Sequence, residues 1–384
     1  MIKCLYHFKE LPFCFTTSSS PNNGNLPNAL PFSIGLDERT GRIVQCPDML
    51  VSENLEKAYK EGSLVTGYMD EDGIGRNYAD DFLDFIISEV GRNKLRTSRI
   101  LEIGCGTGYL LYRLKQLGAD VLGVEPGPQG QDGSKKFGID IVHGYFPSEN
   151  ISGKFDLIIQ YAVLEHLDNP ENYLDSLRTH LMPQGKILVA VPSCDEQIEF
   201  GDISMFFHEH WSYFTQSTLK STIEDAGYRV QSSRKAGFGG VWYAVAELGL
   251  TACTNKARIL DDPCGLISRI ENNQRVVYTL LLQASRDNRS IGFYCPGRIV
   301  NSLSIARSSI DFAKLRIRFF DDNKLIQNHY FPGFPYIIEN RTNLLGKQVD
   351  GLIIASWTFG EKIKASLIQE GYTGRIVTFK EMMA

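Results

Sequence analysis

Three glycines spaced two apart at the end of an apolar run constrain this chain more than any other feature: Arg99-Ile-Leu-Glu-Ile-Gly104-Cys-Gly106-Thr-Gly108. Ile100, Leu101 and Ile103 have the character of a strand, and Tyr109, Leu110, Leu111 and Leu114 start a helical pattern at once. Glycine is needed in such a turn because a nucleotide-bearing ligand must lie against bare backbone at the carboxyl end of a parallel strand. The alternation continues downstream. Strands are expected at 120–124, 140–142, 156–160 and 186–191, with helices at 78–90, 109–117, 130–137, 170–181 and 217–226. Asn169-Pro170 sets a helix start and Pro183-Gln-Gly185 a stop. Alternation of this kind implies an α/β fold with a doubly wound, Rossmann-like sheet.

Two features decide what the turn holds. The spacing is G-x-G-x-G, and Tyr109 stands where a pyrophosphate-binding turn wants a small residue. Glu102, two residues before the first glycine, repels a pyrophosphate but suits a cationic ligand bearing an amino group. A second apolar strand, Val121-Leu-Gly-Val-Glu-Pro126, ends in Glu125, placed to accept hydrogen bonds from both hydroxyls of a ribose. Together these fit S-adenosyl-L-methionine better than NAD.

On these residues the chain resembles the class I S-adenosylmethionine-dependent methyltransferases. The resemblance continues through His143-Gly-Tyr-Phe146, similar to the family's adenine-side loop, and through Phe155 to His166, similar to its fourth strand and following turn. It covers roughly residues 76 to 248. The cofactor-binding set it implies is Glu102, Gly104, Gly106, Gly108, Glu125, Pro126, Tyr145, Phe146 and Tyr161. It also implies that the last strands, 229–233 and 241–247, form an antiparallel edge.

Composition narrows the function classes. Of 384 residues, 43% are hydrophobic and 22% charged, and the net charge of -5 with no basic stripe argues against a nucleic-acid partner. There is no run of about 18 apolar residues to enter a membrane and no signal-peptide pattern, so a cytoplasmic protein is expected. The eight cysteines form no C-x-x-C pair, and Cys105 inside the turn is a packing residue. Residues 1–75 read as a small N-terminal module with weak periodicity, a loop at 16–25, one strand at 42–46 and a helix at 54–60. Cys4, His7, Cys14 and Cys46 lack two close-spaced ligand pairs, so no bound zinc is expected. The glycine-rich segment 67–75 reads equally as a flap over the cofactor or as a linker.

Beyond the fifth strand comes Met205-Phe-Phe-His-Glu-His-Trp-Ser-Tyr-Phe-Thr215. His208, Glu209 and His210 stand among aromatics where a doubly wound fold places its substrate, so the cluster is a candidate for moving protons. This run resembles the nucleotide-sugar C-methyltransferases, three-part proteins with an N-terminal zinc module, a methyltransferase core and a C-terminal Rossmann-like domain. The resemblance implies that His210, helped by Glu209, deprotonates the sugar, with Tyr68 on the 67–75 segment as the next candidate. The chain departs from that family at Phe207, where a tyrosine is usual, and in its missing cysteine pairs.

Residues 264–287 have near-helical apolar spacing and read as a bridge. A second α/β unit follows, with a strand and turn over 290–297, strands at 315–322 and 350–356 and helices at 299–310 and 360–370. The expected architecture is therefore an N-terminal module over 1–75, a methyltransferase core over 76–250 and a C-terminal Rossmann-like domain over 251–384. The expected activity is C-methylation of a nucleotide-linked keto-sugar. Methylation of oxygen or nitrogen on a small metabolite, and a non-catalytic scaffold that binds the same cofactor, stand as alternatives.

Overall fold

The computed structural model describes residues 1–13, 17–60, 69–249 and 263–383. At the amino end β1 (Ile2–Pro12), β2 (Ala29–Asp37) and β3 (Arg42–Gln45) pair antiparallel. Only β3 was expected from the sequence. In β1 the pairing register shifts twice, between Cys4 and Tyr6 and between Phe8 and Leu11, which breaks the alternation that would have marked it. β2 does alternate, with Leu30, Phe32, Ile34 and Leu36 buried, but Pro31, its third residue, argues against a strand. The helix that follows is Met49–Lys60, five residues longer at its start than expected.

The core opens with the helix Gly73–Val90, which begins inside the segment read as a flap or linker. Its strands are β4 (Arg99–Ile103), β5 (Asp120–Glu125), β6 (Ile141–His143), β7 (Phe155–Tyr161) and β8 (Leu181–Pro192). β9 (Ser212–Tyr213) leaves this sheet and pairs with β3. β10 (Tyr228–Lys235) and β11 (Val241–Leu248) return to it. The spatial order is β10-β11-β8-β7-β4-β5-β6, parallel from β8 to β6 and antiparallel at β11, as the resemblance implied. One expectation is corrected: the helix Pro170–Leu177 gives way to a 3-10 turn, and Pro183-Gln-Gly185 lies within β8. There the strand bulges, since Leu181 pairs with Phe155 but Lys186 with Leu157, and residues 182–184 between them are exposed.

Neighbouring residues on each central strand feed opposite faces, as a period of two requires. Ile100, Leu157, Ile159 and Leu188 pack with Phe82, Phe85 and Ile86 of the Gly73–Val90 helix. Leu101, Ile103, Ile158 and Val189 pack with Leu174, Leu177, Leu219 and Ile223.

The C-terminal unit contains β12 (Ser290–Tyr294), β13 (Arg316–Phe320), β14 (Ile338–Glu339), β15 (Gly351–Ile354) and β16 (Arg375–Thr378), all parallel, in the order β14-β13-β12-β15-β16. This is the second Rossmann-like sheet that was expected. The helix Pro263–Arg286 joins the units: Leu266 and Ile270 pack with Phe8, Phe32 and Phe206, whereas Val277 and Leu281 belong to the C-terminal core. Buried amides fix the contact. Asn301 Nδ2 donates to the carbonyls of Ile203 and Phe206, both at 2.9 Å, and Asn273 Nδ2 to that of Phe200 at 2.7 Å. Replacing Asn301 by Ala takes the side-chain donor from both carbonyls at a buried junction, leaving that of Ile203 its bond from the Phe206 N–H, and is expected to cost about 1–3 kcal/mol in urea unfolding; an unchanged midpoint would show that the junction does not depend on it.

Candidate active site

The glycine turn and Glu125 are tied together. Glu125 Oε2 accepts from the backbone N–H of Gly106 at 2.9 Å, and its Oε1 accepts from Gly127 N–H at 2.8 Å and Gln129 Nε2 at 2.9 Å. One carboxylate thus spans the turns after β4 and β5, with one lone pair of Oε2 left for a further donor. Gly104 has a φ of +70°, and a Cβ there would stand 2.6 Å from Val163 Cγ2. Gly108, also left-handed at φ 73°, leads into the helix Tyr109–Gln116. Glu102 is buried beside these residues, and its Oε2 has no hydrogen-bond partner. Burial first, then the Glu125 charge, hold its carboxyl well above the ordinary range. A ligand ammonium would relieve both, so the residues present fit an amino acid-bearing, ribose-bearing cation.

Other expected cofactor residues are distributed less evenly. Pro126 is partly exposed next to Glu125, and Tyr161 closes β7 with its ring 5.3 Å from Phe82 and 6.5 Å from Tyr78. Tyr145 is exposed on the turn after β6, and Phe146 packs edge-on against Tyr173 and His180. Tyr68 lies outside the described residues. Met69 and Glu71, just beyond it, reach the glycine turn and the helix Pro128–Phe137: Thr107 Oγ1 donates to the Met69 carbonyl at 3.2 Å, and Glu71 pairs with Lys136 at 2.6 Å.

The histidine-glutamate run divides. His208 turns into the N-terminal sheet, where its ring meets Phe13 and Phe32 edge-on and its Nε2 lies 3.2 Å from the Pro31 carbonyl. The backbone turns over there, with His210 N–H bonded to the Phe207 carbonyl, so Glu209 and His210 face the core instead. They meet two residues that sequence reasoning passed over, Glu165 and His166, in the 3-10 turn after β7. The His166 and His210 rings are perpendicular at 4.8 Å, and His166 Nδ1 lies 3.8 Å from Glu209 Oε2. Donor atoms of Glu165, His166 and His210 all lie within 4.8 Å of one another, a grouping able to exchange protons or to hold a divalent cation. The signal available was positional, since Glu165-His166 lies in the connection after one central strand and His208-Glu-His210 in the connection after the next.

Burial sets the charge state of this cluster. Both Glu165 oxygens and Glu209 Oε2 lack partners, and burial pushes each carboxyl up to about 8, with the Glu165 charge adding to the effect on Glu209. Burial lowers His166 to about 4 and His210 well below 6.5, the latter aided by His166 and by Arg298 of the C-terminal domain. Near neutral pH the cluster is thus two neutral imidazoles and two protonated acids.

Residues 75–233 match the family described as a methyltransferase domain. The chain is 30% identical over 122 residues to a mitochondrial ubiquinone biosynthesis O-methyltransferase of Schizosaccharomyces pombe, an alignment covering 29% of this chain and 44% of that protein. It is 27% identical over 137 residues to the C-methyltransferase NovU of Streptomyces niveus, covering 34% of this chain and 33% of that one. The matched region spans less than half the length of either curated relative. Among solved structures, Burkholderia thailandensis 1,6-didemethyltoxoflavin-N1-methyltransferase, with 1,6-didemethyltoxoflavin and S-adenosylhomocysteine bound, has a TM-score of 0.40 at 16% identity, over 54% of this chain and 96% of that chain. Among the described residues no helix is long and apolar enough to cross a membrane.

Two outcomes follow from the geometry. Glu125→Gln should weaken S-adenosylhomocysteine at least about tenfold by calorimetry, because a charge-assisted acceptor for the ribose is lost; equal affinity would remove Glu125 from the site. The raised carboxyls of Glu165 and Glu209 mean that the folded chain keeps protons the unfolded chain releases near 4.5, so stability falls as pH rises from there through about 8. Glu165→Gln should flatten that slope and stabilise the protein at pH 8 by about 1–3 kcal/mol in denaturant titrations.

Proposed function

We propose, starting from the methyltransferase domain at residues 75–233, that this chain transfers a methyl group from S-adenosyl-L-methionine to a carbon of a nucleotide-linked keto-sugar. The observation that carries the reading is the paired cluster, Glu165-His166 and Glu209-His210, at the carboxyl edge of the sheet whose glycine turn fits the cofactor. The bound sulfonium supplies an electrophilic methyl group. His210, neutral and with a free lone pair near neutral pH, takes the proton next to the sugar carbonyl. The electron pair left on carbon forms the new bond to the methyl group as the sulfur–methyl bond breaks. Neutral His166, its ring 4.8 Å from that of His210, then lies where it can take the imidazolium's proton on, and Glu209, itself protonated near neutral pH, sets an oxygen 3.8 Å from His166 Nδ1. Glu102 and Glu125 hold the cofactor's cationic and ribose ends, and the turn backbone positions it for the transfer.

A second reading is favoured by the Schizosaccharomyces pombe relative, whose name specifies an O-methyltransferase. In that case His210 would remove a hydroxyl proton and the rest of the site would serve unchanged.

His210→Asn is expected to keep the fold and the affinity for S-adenosylhomocysteine while turnover on a responsive nucleotide sugar falls about 100- to 10,000-fold. Because burial holds His210 below 6.5, the wild-type rate should decline only at pH values under 6.5, and the variant should lose that limb. Wash-out of the carbon-bound hydrogen into deuterated water without methyl transfer would support carbon as the acceptor. Methyl transfer at the wild-type rate by His210→Asn would place the base elsewhere.

A further inference from the structure

The two residues that carry the proposed proton transfer sit on a loop with little sheet of its own. β9 is only Ser212–Tyr213, so its pairing with β3 cannot by itself hold residues 207–211 in place. Gln45, the last residue of β3, supplies what is missing. Its backbone N–H donates to the Trp211 carbonyl at 3.1 Å, and its side-chain Nε2 donates to the His208 carbonyl at 3.2 Å. The gripped carbonyls flank Glu209 and His210. Gln45 is 3% exposed, so water cannot replace its amide. Two further bonds complete the frame: Trp211 N–H donates to the Glu165 carbonyl at 2.8 Å, and the Tyr213 hydroxyl donates to the His210 carbonyl at 3.0 Å. The Glu165-His166 turn and the Glu209-His210 turn are therefore set against each other through backbone bonds, one end of which the N-terminal sheet holds.

We propose that Gln45 is a positioning residue for methyl transfer: its side chain, beside the His208 contacts with the amino-terminal sheet, fixes where Glu209 and His210 stand relative to Glu165 and His166. The inference rests on the reading of His210 as the proton acceptor.

The test uses the full chain. Gln45→Met keeps the length of the side chain and removes its donor, and the backbone bond to Trp211 remains. The variant should bind S-adenosylhomocysteine within about twofold of wild type, show a broadened or doubled His210 imidazole resonance in a carbon-proton correlation spectrum, and lose about 10- to 100-fold in kcat with the KM for S-adenosylmethionine unchanged. Gln45→Glu is a check within one folded protein, because its carboxyl can donate to the His208 carbonyl only while protonated. Its His210 resonance should match wild type at low pH and Gln45→Met at high pH. A single unshifted His210 resonance and unchanged kcat in Gln45→Met would overturn the proposal. So would loss of fold and cofactor binding in both variants, which would make Gln45 a packing residue. Should His210→Asn prove fully active, the catalytic reading fails, while the resonance comparison still decides whether Gln45 positions the loop.

Discussion

Carboxyl groups held away from water along one edge of a parallel sheet are the constraint on which the rest of this protein depends. Burying a polar group without a partner costs about 2–7 kcal/mol, and Glu102, Glu165 and Glu209 each keep at least one such oxygen. A sheet can tolerate that only if both faces are well packed. Here they are: phenylalanines and aliphatic residues of the Gly73–Val90 helix fill one face, and leucines from two later helices fill the other. The stability gained in the layers is what lets the edge stay reactive.

The edge is also built from three parts of the chain that lie far apart in sequence. β4 and β5 bring the glycine turn and Glu125, β7 brings Glu165 and His166, and the loop before β9 brings Glu209 and His210. The amino-terminal sheet and the C-terminal domain reach the same loop from either side, the first through Gln45 and His208, the second through Asn301. Neither neighbour is therefore a detached accessory to the methyltransferase domain.

Much of this was legible in the sequence, because the signals were local. Three glycines after a strand, an acid after the next strand and regular α/β alternation required no knowledge of distant contacts, and the doubly wound sheet followed from them; its antiparallel edge came from the family resemblance alone. The amino-terminal sheet was not legible for two separate reasons: bulges in β1 erased its period, and Pro31 disguised β2. That same Pro31 carbonyl meets the His208 ring, which explains why three residues that look like one cluster in sequence separate in space. Glu165 and His166 were visible as residues but not as partners of His210, since only the fold shows that the ends of β7 and β8 are neighbours.

The helix Pro263–Arg286 carries a consequence for how such a chain can change. Its first turns are core for the amino-terminal sheet and its last turns are core for the C-terminal one, so a single rod is shared property. An alteration that lifts this rod exposes apolar surface at both ends at once, which couples the unfolding of units separated by more than two hundred residues of chain. Exchanging either unit for a homologous one would then require the helix to be rewritten along the face it presents to the newcomer, and the three parts are inherited most readily as a set.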